Sequence, residues 1–98
     1  MLEGLEAIHK AGIVHRDIKS ANVFLCRNGG VKLGDLNVST IAKEGMMRTM
    51  TGTPYYCPPE VWNHEAYTSK CDIWSLGCVI YELTCLQFPF KAKDLHVL

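Results

Sequence analysis

The chain has 98 residues, enough for at most one small domain, and its 48% hydrophobic content fits a globular protein rather than a disordered one. Ten Lys and Arg balance ten Asp and Glu, so charge gives no reason to expect nucleic acid or an anionic membrane surface as a partner. No apolar run reaches the ~18 residues of a membrane span, and the opening MLEGLEAIHK lacks the basic-then-apolar order of a secretory leader.

Leu2, Leu5 and Ile8 recur at helical spacing and Gly12 offers a stop, which predicts a helix over residues 1–11. The apolar runs NVFLC and VKLGD flank Arg27-Asn28-Gly29-Gly30 and predict a β-hairpin. If the loop is the four residues 27–30, Cys26 faces Val31, and counting back along both strands sets Asn22 opposite Asp35. Residues 38–56 are polar and aperiodic and read as one long loop, a feature that in compact domains usually serves function. The proline opening of PPEVWNH, residues 58–64, suits a short helix.

The longest apolar segment is KCDIWSLGCVIYELTCL, residues 70–86. Ile73, Trp74, Leu76, Cys78, Val79, Ile80, Tyr81 and Leu83 cover nearly every face of a helix there, the pattern of a helix buried on all sides. That is more surface than a chain of this length can wrap. Trp62 and Trp74 are expected in the core. The tail QFPFKAKDLHVL reads as a proline loop followed by the first turns of another helix. The five cysteines, Cys26, Cys57, Cys71, Cys78 and Cys85, are odd in number and contain no C-x-x-C. They read as small buried hydrophobes in a reducing, cytoplasmic setting rather than as metal ligands or disulfides.

In that hairpin Asn22 and Asp35 bring an amide oxygen and a carboxylate to its open end. Both are hard oxygen ligands of the kind Mg²⁺ takes alongside phosphate and water. Asp17 lies at the same end, just before the first strand, and Lys19 adds a cation. A carboxylate base, a cation and two hard ligands suit phosphoryl transfer, which relies on positioning and charge neutralisation more than on covalent help.

The segment HRDIKSANVFL resembles the catalytic loop of protein kinases, H-R-D-x-K-x-x-N. GDLN stands where kinases carry D-F-G, GTPYYCPPE resembles the segment ending in A-P-E, and CDIWSLGCVIYEL resembles the hydrophobic helix that anchors the large lobe. The wording of these segments is most similar to the NIMA-related serine/threonine kinases. The resemblance implies an α+β fold: a partial protein kinase domain over residues 1–98, mainly helical large lobe with a short β-hairpin. It implies transfer of the γ-phosphate of ATP to Ser or Thr hydroxyls of protein substrates, with ATP and Mg²⁺ as cofactors.

Residue by residue, the resemblance implies that Asp17 accepts the proton of the substrate hydroxyl and that Lys19 steadies the transferring phosphate. Thr53 would contact both and help seat the hydroxyl. Asn22 and Asp35 would hold Mg²⁺, and Phe24 would floor the adenine. His15 and Leu36 would stack in the core column between the lobes. Asp72 would hold the catalytic-loop backbone through hydrogen bonds, and Glu60 would pair with an arginine of later helices. Arg16 would meet a phosphate on Thr49, or second on Thr51, added by an activating kinase or by self-phosphorylation. Taken singly, Asp17 and Asp35 are also ordinary turn-capping carboxylates. His15 reads as a packed core histidine rather than an acid or base, and Thr49 also reads as a solvated loop hydroxyl.

The sequence departs from the kinase pattern at Asn37, where the motif has glycine; Asn is among the residues that best tolerate φ > 0. Cys57-Pro58 replaces the usual small residues before Pro59-Glu60. The eight glycines form no G-x-G-x-x-G, and no V-A-I-K strand is present. The chain therefore reads as the middle of a kinase domain with the small lobe absent. Two functions follow from this: the catalytic segment of an active serine/threonine kinase, or an inactive truncated fragment with an interaction or regulatory role.

Overall fold

Helix α1 spans Leu2–Lys10 and buries Leu5, with Met1 and Ile8 packed beside it, whereas Leu2 is exposed. His9 and Lys10 lie in its last turn, where cations favour the negative end of the helix dipole. Gly12, at φ 75°, then turns the chain out of the helix in a left-handed conformation that costs glycine nothing. The structure is a computed structural model and describes residues 1–36, 39–41 and 54–91.

Strand β1, Ile13–Val14, pairs antiparallel with strand β4, Thr40–Ile41, in the register Ile13 to Ile41 and Val14 to Thr40. The segment expected to be loop throughout residues 38–56 thus contributes a strand. Two residues are too few to show a period, and the pairing is made across the intervening hairpin. Pro54–Tyr56 of the same segment form a 3-10 turn.

That hairpin joins β2, Val23–Leu25, to β3, Val31–Leu33. Its register differs by one residue from the count made on a four-residue loop. Leu25 pairs with Val31, and Cys26 N–H donates to the Gly30 carbonyl at 2.8 Å. The loop is the three residues 27–29, with Gly29 at φ 81° donating to the Cys26 carbonyl at 3.0 Å. A turn followed by a left-handed residue is the usual three-residue hairpin loop. Asn28 reinforces it by accepting the Gly30 N–H at 3.1 Å. Because strand side chains alternate, one residue of slip changes every cross-strand partner. Asn22 therefore lies across from Gly34, whose N–H donates to its carbonyl at 2.9 Å, and Asp35 lies one step beyond at φ 60°.

Helix α2, Pro59–Trp62, carries proline at its first position, where the missing N–H has no intrahelical acceptor to lose. Helix α3, Lys70–Cys85, ends at Leu86 in a left-handed conformation. One stripe of α3 is buried: Cys71, Asp72, Ser75, Leu76, Cys78 and Val79. Ile73, Trp74, Ile80, Tyr81 and Leu83 on its other faces are exposed. Trp74 is stacked on Phe90 at 5.5 Å rather than buried in the core. Cys71 and Cys78 are buried as expected, Cys85 is exposed, and all five thiols are unpaired.

Helix α3 joins two apolar clusters. Leu76, Cys78 and Val79 pack with Leu5, Ile18 and Tyr56, while Cys71 packs with Val14, Val61 and Tyr67. Each fully buried aliphatic side chain of this kind contributes about 1.5–3 kcal/mol, which makes α3 the beam against which the preceding segments are set. The mixture of helices with small antiparallel pairs is an α+β arrangement. Among the described residues no helix is long and apolar enough to cross a membrane.

Candidate active site

Residues 15–22 connect β1 to β2, and groups from distant parts of the chain hold them. Asp72, in the first turn of α3 and fully buried, accepts the Arg16 N–H on Oδ1 at 2.8 Å and the His15 N–H on Oδ2 at 2.9 Å. His9 Nε2 lies 2.7 Å from the same Oδ2. One buried carboxylate thus ties the end of α1, the 15–22 segment and α3 together. A buried carboxylate is stable there only because its oxygens are filled with donors. Arg16 takes φ 67°, which lets adjacent N–H groups converge on Asp72 while the chain swings round to Asp17.

His15 is fully buried, and its ring links the segment to the hairpin. Nδ1 accepts the Asp17 N–H at 3.3 Å, which makes Nε2 the protonated nitrogen, donating to the Gly34 carbonyl at 3.0 Å. The residue preceding Asp35 is therefore fixed to the residue two before Asp17 through one imidazole. Ser39 Oγ donates to the His15 carbonyl at 3.3 Å. Leu36, beyond Asp35, is 53% exposed and outside both core clusters, so among the described residues it does not share the burial of His15.

Asp17, Lys19 and Asn22 converge. Lys19 Nζ lies 2.9 Å from Asp17 Oδ2. Asn22, almost fully buried, donates from Nδ2 to the Asp17 carbonyl at 2.8 Å and to Asp17 Oδ2 at 3.3 Å. Both Nδ2 bonds point towards Asp17, which orients the amide and turns its Oδ1 the other way. Asn22 Oδ1 and the Asp35 carboxylate are hard oxygen donors. Among the described residues no three His, Cys, Asp or Glu gather at one point. Two such donors fit a Mg²⁺ ion that completes its shell with phosphate and water, not one held by an all-protein cage.

Phe24 is half exposed on β2, and its ring lies over Gly34: a Cβ built on Gly34 would sit 2.6 Å from Phe24 Cε2. Glycine at this position is thus a condition for the placement of Phe24. Glu60, in the first turn of α2, lies near the partly buried Cys57 thiol and the buried Cys71 thiol. Burial, with the Glu60 charge adding to it, pushes the Cys57 thiol up to about 11. Burial, then the adjacent Asp72 carboxylate, pushes Cys71 up to about 12. Thr49, Thr51, Thr53 and Asn37 lie outside the described residues.

A second polar cluster, without a motif in the sequence, lies beside Lys19. Tyr56 O–H donates to Glu82 Oε2 at 2.7 Å. Ser20 Oγ lies 3.1 Å from the Tyr56 hydroxyl and 3.3 Å from Glu82 Oε1. Burial raises the Tyr56 phenol above its usual value. These three residues come from the 15–22 segment, the 54–56 turn and α3, and no spacing in the sequence relates them. His9 carries only a weak sequence signal, a histidine in the last turn of a helix, where a partner can be sought.

Residues 1–97 match the family model described as protein kinase domain. The chain is 53% identical over 93 residues to serine/threonine-protein kinase Nek3 of Mus musculus, a match covering 93% of this chain and 18% of that protein. It is 49% identical over 98 residues to serine/threonine-protein kinase Nek5 of Homo sapiens, covering 97% of this chain and 14% of that protein. It is 42% identical over 96 residues to serine/threonine-protein kinase Nek4 of Mus musculus, covering 96% and 12%. The chain thus spans less than a fifth of the length of these relatives.

Proposed function

The chain belongs to the protein kinase domain family, and from that premise we propose that it is the catalytic segment of a serine/threonine kinase, from the large lobe, that moves the γ-phosphoryl group of ATP to protein Ser and Thr hydroxyls. The observation that carries the reading is the convergence of Lys19 and Asn22 on Asp17, whose backbone is held through His15 and Asp72. Asp17 accepts the proton of the substrate hydroxyl as its oxygen bonds to phosphorus and the bond between phosphorus and the β–γ bridging oxygen breaks. Lys19 sits beside that carboxylate and presents its charge to the transferring group. Asn22 Oδ1 and Asp35 are the residues to hold Mg²⁺, which when bound neutralises charge on the phosphates. Phe24, half exposed over Gly34, offers a flat apolar face to the adenine. Thr53 as a contact of Asp17 and Lys19, and Thr49 or Thr51 as phosphate acceptors facing Arg16, are part of the same reading and rest on the sequence resemblance.

The test is Asp17→Asn in the full-length kinase that carries this segment. The substitution keeps the shape and removes the proton acceptor, so turnover on a Ser/Thr peptide falls by about 10²–10⁴. Phosphorylation at the parental rate would refute the assignment. A second reading, an interaction or regulatory fragment without turnover, is favoured for the 98-residue chain by itself. Apolar side chains stand exposed on both the hairpin and α3. Co-purification of the isolated chain with a kinase partner, in the absence of ATP turnover, would support that reading.

A further inference from the structure

We infer that Ser20 is a positioning residue for Lys19, acting through Tyr56 and Glu82; the inference rests on the phosphotransfer reading above. Lys19 is extended, at φ −157° and ψ 163°, and Ser20 opens the 3-10 turn Ser20–Asn22 directly after it. Asn22 N–H donates to the Lys19 carbonyl at 3.0 Å, and the Asn22 side chain returns to Asp17. Residues 17–22 therefore form a closed loop in which no member moves alone.

Helix α3 grips that loop at two points. Asp72 takes the His15 and Arg16 N–H groups before Asp17, and Glu82 takes Ser20 after Lys19. The two carboxylates are ten residues apart on one helix, about 15 Å at 1.5 Å per residue. The catalytic pair is stretched between two fixed posts on a rigid element.

The roles of the hydrogens show what Ser20 adds. Tyr56 spends its proton on Glu82 Oε2, so the Ser20 proton goes to Glu82 Oε1 or to the Tyr56 oxygen. The Tyr56–Glu82 bond closes without Ser20, and neither group depends on the serine to avoid being buried unpaired. What the serine hydroxyl uniquely supplies is the link from this pair to the residue next to Lys19. At 3.3 Å to Glu82 Oε1 and 3.1 Å to the Tyr56 oxygen, the link is longer than the roughly 2.5–3.0 Å usual for a hydroxyl donor, so it guides the neighbouring side chain rather than clamps it.

The experiment uses the full-length kinase with ATP and a Ser/Thr peptide, with active sites counted by titration with a non-hydrolysable ATP analogue. Ser20→Ala is expected to lower kcat per active site by about tenfold, within the ~10²-fold that small misplacement can cost. KM for ATP and the thermal midpoint stay near the parental values, because the Tyr56–Glu82 bond remains. Ser20→Thr, which keeps the hydroxyl, restores most of the rate. In a Lys19→Ala background, Ser20→Ala lowers kcat by less than about twofold, since the group it positions is gone. Asp17→Asn is measured alongside: a fully active Asp17→Asn enzyme refutes the kinase reading itself. With Asp17→Asn inactive, three results overturn the role of Ser20 while leaving that reading intact. They are a parental kcat in Ser20→Ala, a Ser20→Thr enzyme as slow as Ser20→Ala, or a full tenfold loss in the Lys19→Ala background.

Discussion

Asp72→Asn is the substitution on which the fold and the site depend together. It preserves the shape of the side chain and exchanges one acceptor oxygen for an NH₂ donor. Oδ1 faces the Arg16 N–H at 2.8 Å, and Oδ2 faces the His15 N–H at 2.9 Å and His9 Nε2 at 2.7 Å. Whichever way the amide turns, its NH₂ group meets a backbone N–H in a site closed to water. One hydrogen bond to a charged acceptor, about 1.5–3 kcal/mol, is lost, and the stranded N–H costs about 1–3 kcal/mol more. His9 also loses its anion. The expected destabilisation is about 3–5 kcal/mol, the range for breaking a buried charged cluster, against a domain stability of about 5–15 kcal/mol. Catalysis should suffer as well. The left-handed turn at Arg16 costs a non-glycine residue roughly 1–2 kcal/mol, and the bond from its N–H to Asp72 holds it in place beside Asp17. Urea denaturation of the full-length kinase and its variant, followed by peptide phosphorylation at a temperature where both are folded, tests both consequences. A variant within about 0.5 kcal/mol of the parent, the scatter of neutral surface changes, would refute the account of Asp72 as the tie between α1, α3 and the 15–22 segment.

Three further outcomes are expected. The folded values of Cys57, at about 11, and Cys71, at about 12, lie above the ordinary thiol value of 9.0, and that of Tyr56 lies above 10.0. The native state therefore holds these protons more tightly than the unfolded chain. Their stabilisation is complete below pH 9 and is lost as pH rises through the window to about 12; Cys71→Ser should flatten the decline seen in denaturation between those pH values, and an unchanged slope would contradict it. Gly34→Ala forces the Phe24 ring aside, because the new methyl would lie 2.6 Å from Cε2; KM for ATP should rise severalfold while Phe24→Ala in the same background adds little, and independent, additive effects would refute the contact. The isolated 98-residue chain should self-associate and bind a hydrophobic dye, since Leu25, Ile80 and Leu83 are 83%, 52% and 59% exposed; a monomer with a sharp melt on size-exclusion and calorimetry would count against this.

Elements whose causes are local were legible in the amino-acid order alone. Leu5 and Ile8 at helical spacing, Gly12 as a stop and proline ahead of Val61-Trp62 act within a few residues, and α1 and α2 lie where these signals put them. The hairpin's existence followed from Arg27-Asn28-Gly29-Gly30, and the order of the kinase-like motifs identified the family that residues 1–97 match. Tertiary structure decided what depends on partners far along the chain. Gly29 entering the left-handed region shortened the hairpin loop to three residues and moved Asn22 from Asp35 to Gly34. Strand β4 forms only because β1 is there to pair with it. An all-round apolar pattern could not say which stripe of α3 is covered; Leu5, Ile18, Tyr56 and Val14 decided that by packing on one side. The candidate site divides in the same way. Asp17, Lys19 and Asn22 are close in sequence and were legible as a motif. The grip of Asp72 on His15 and Arg16, across 57 and 56 residues, gained geometry only in the fold. The Ser20–Tyr56–Glu82 cluster had no sequence signal at all. Hydrogen bonds between side chains on different elements carry no periodicity, because only the packing of those elements brings donor and acceptor within reach.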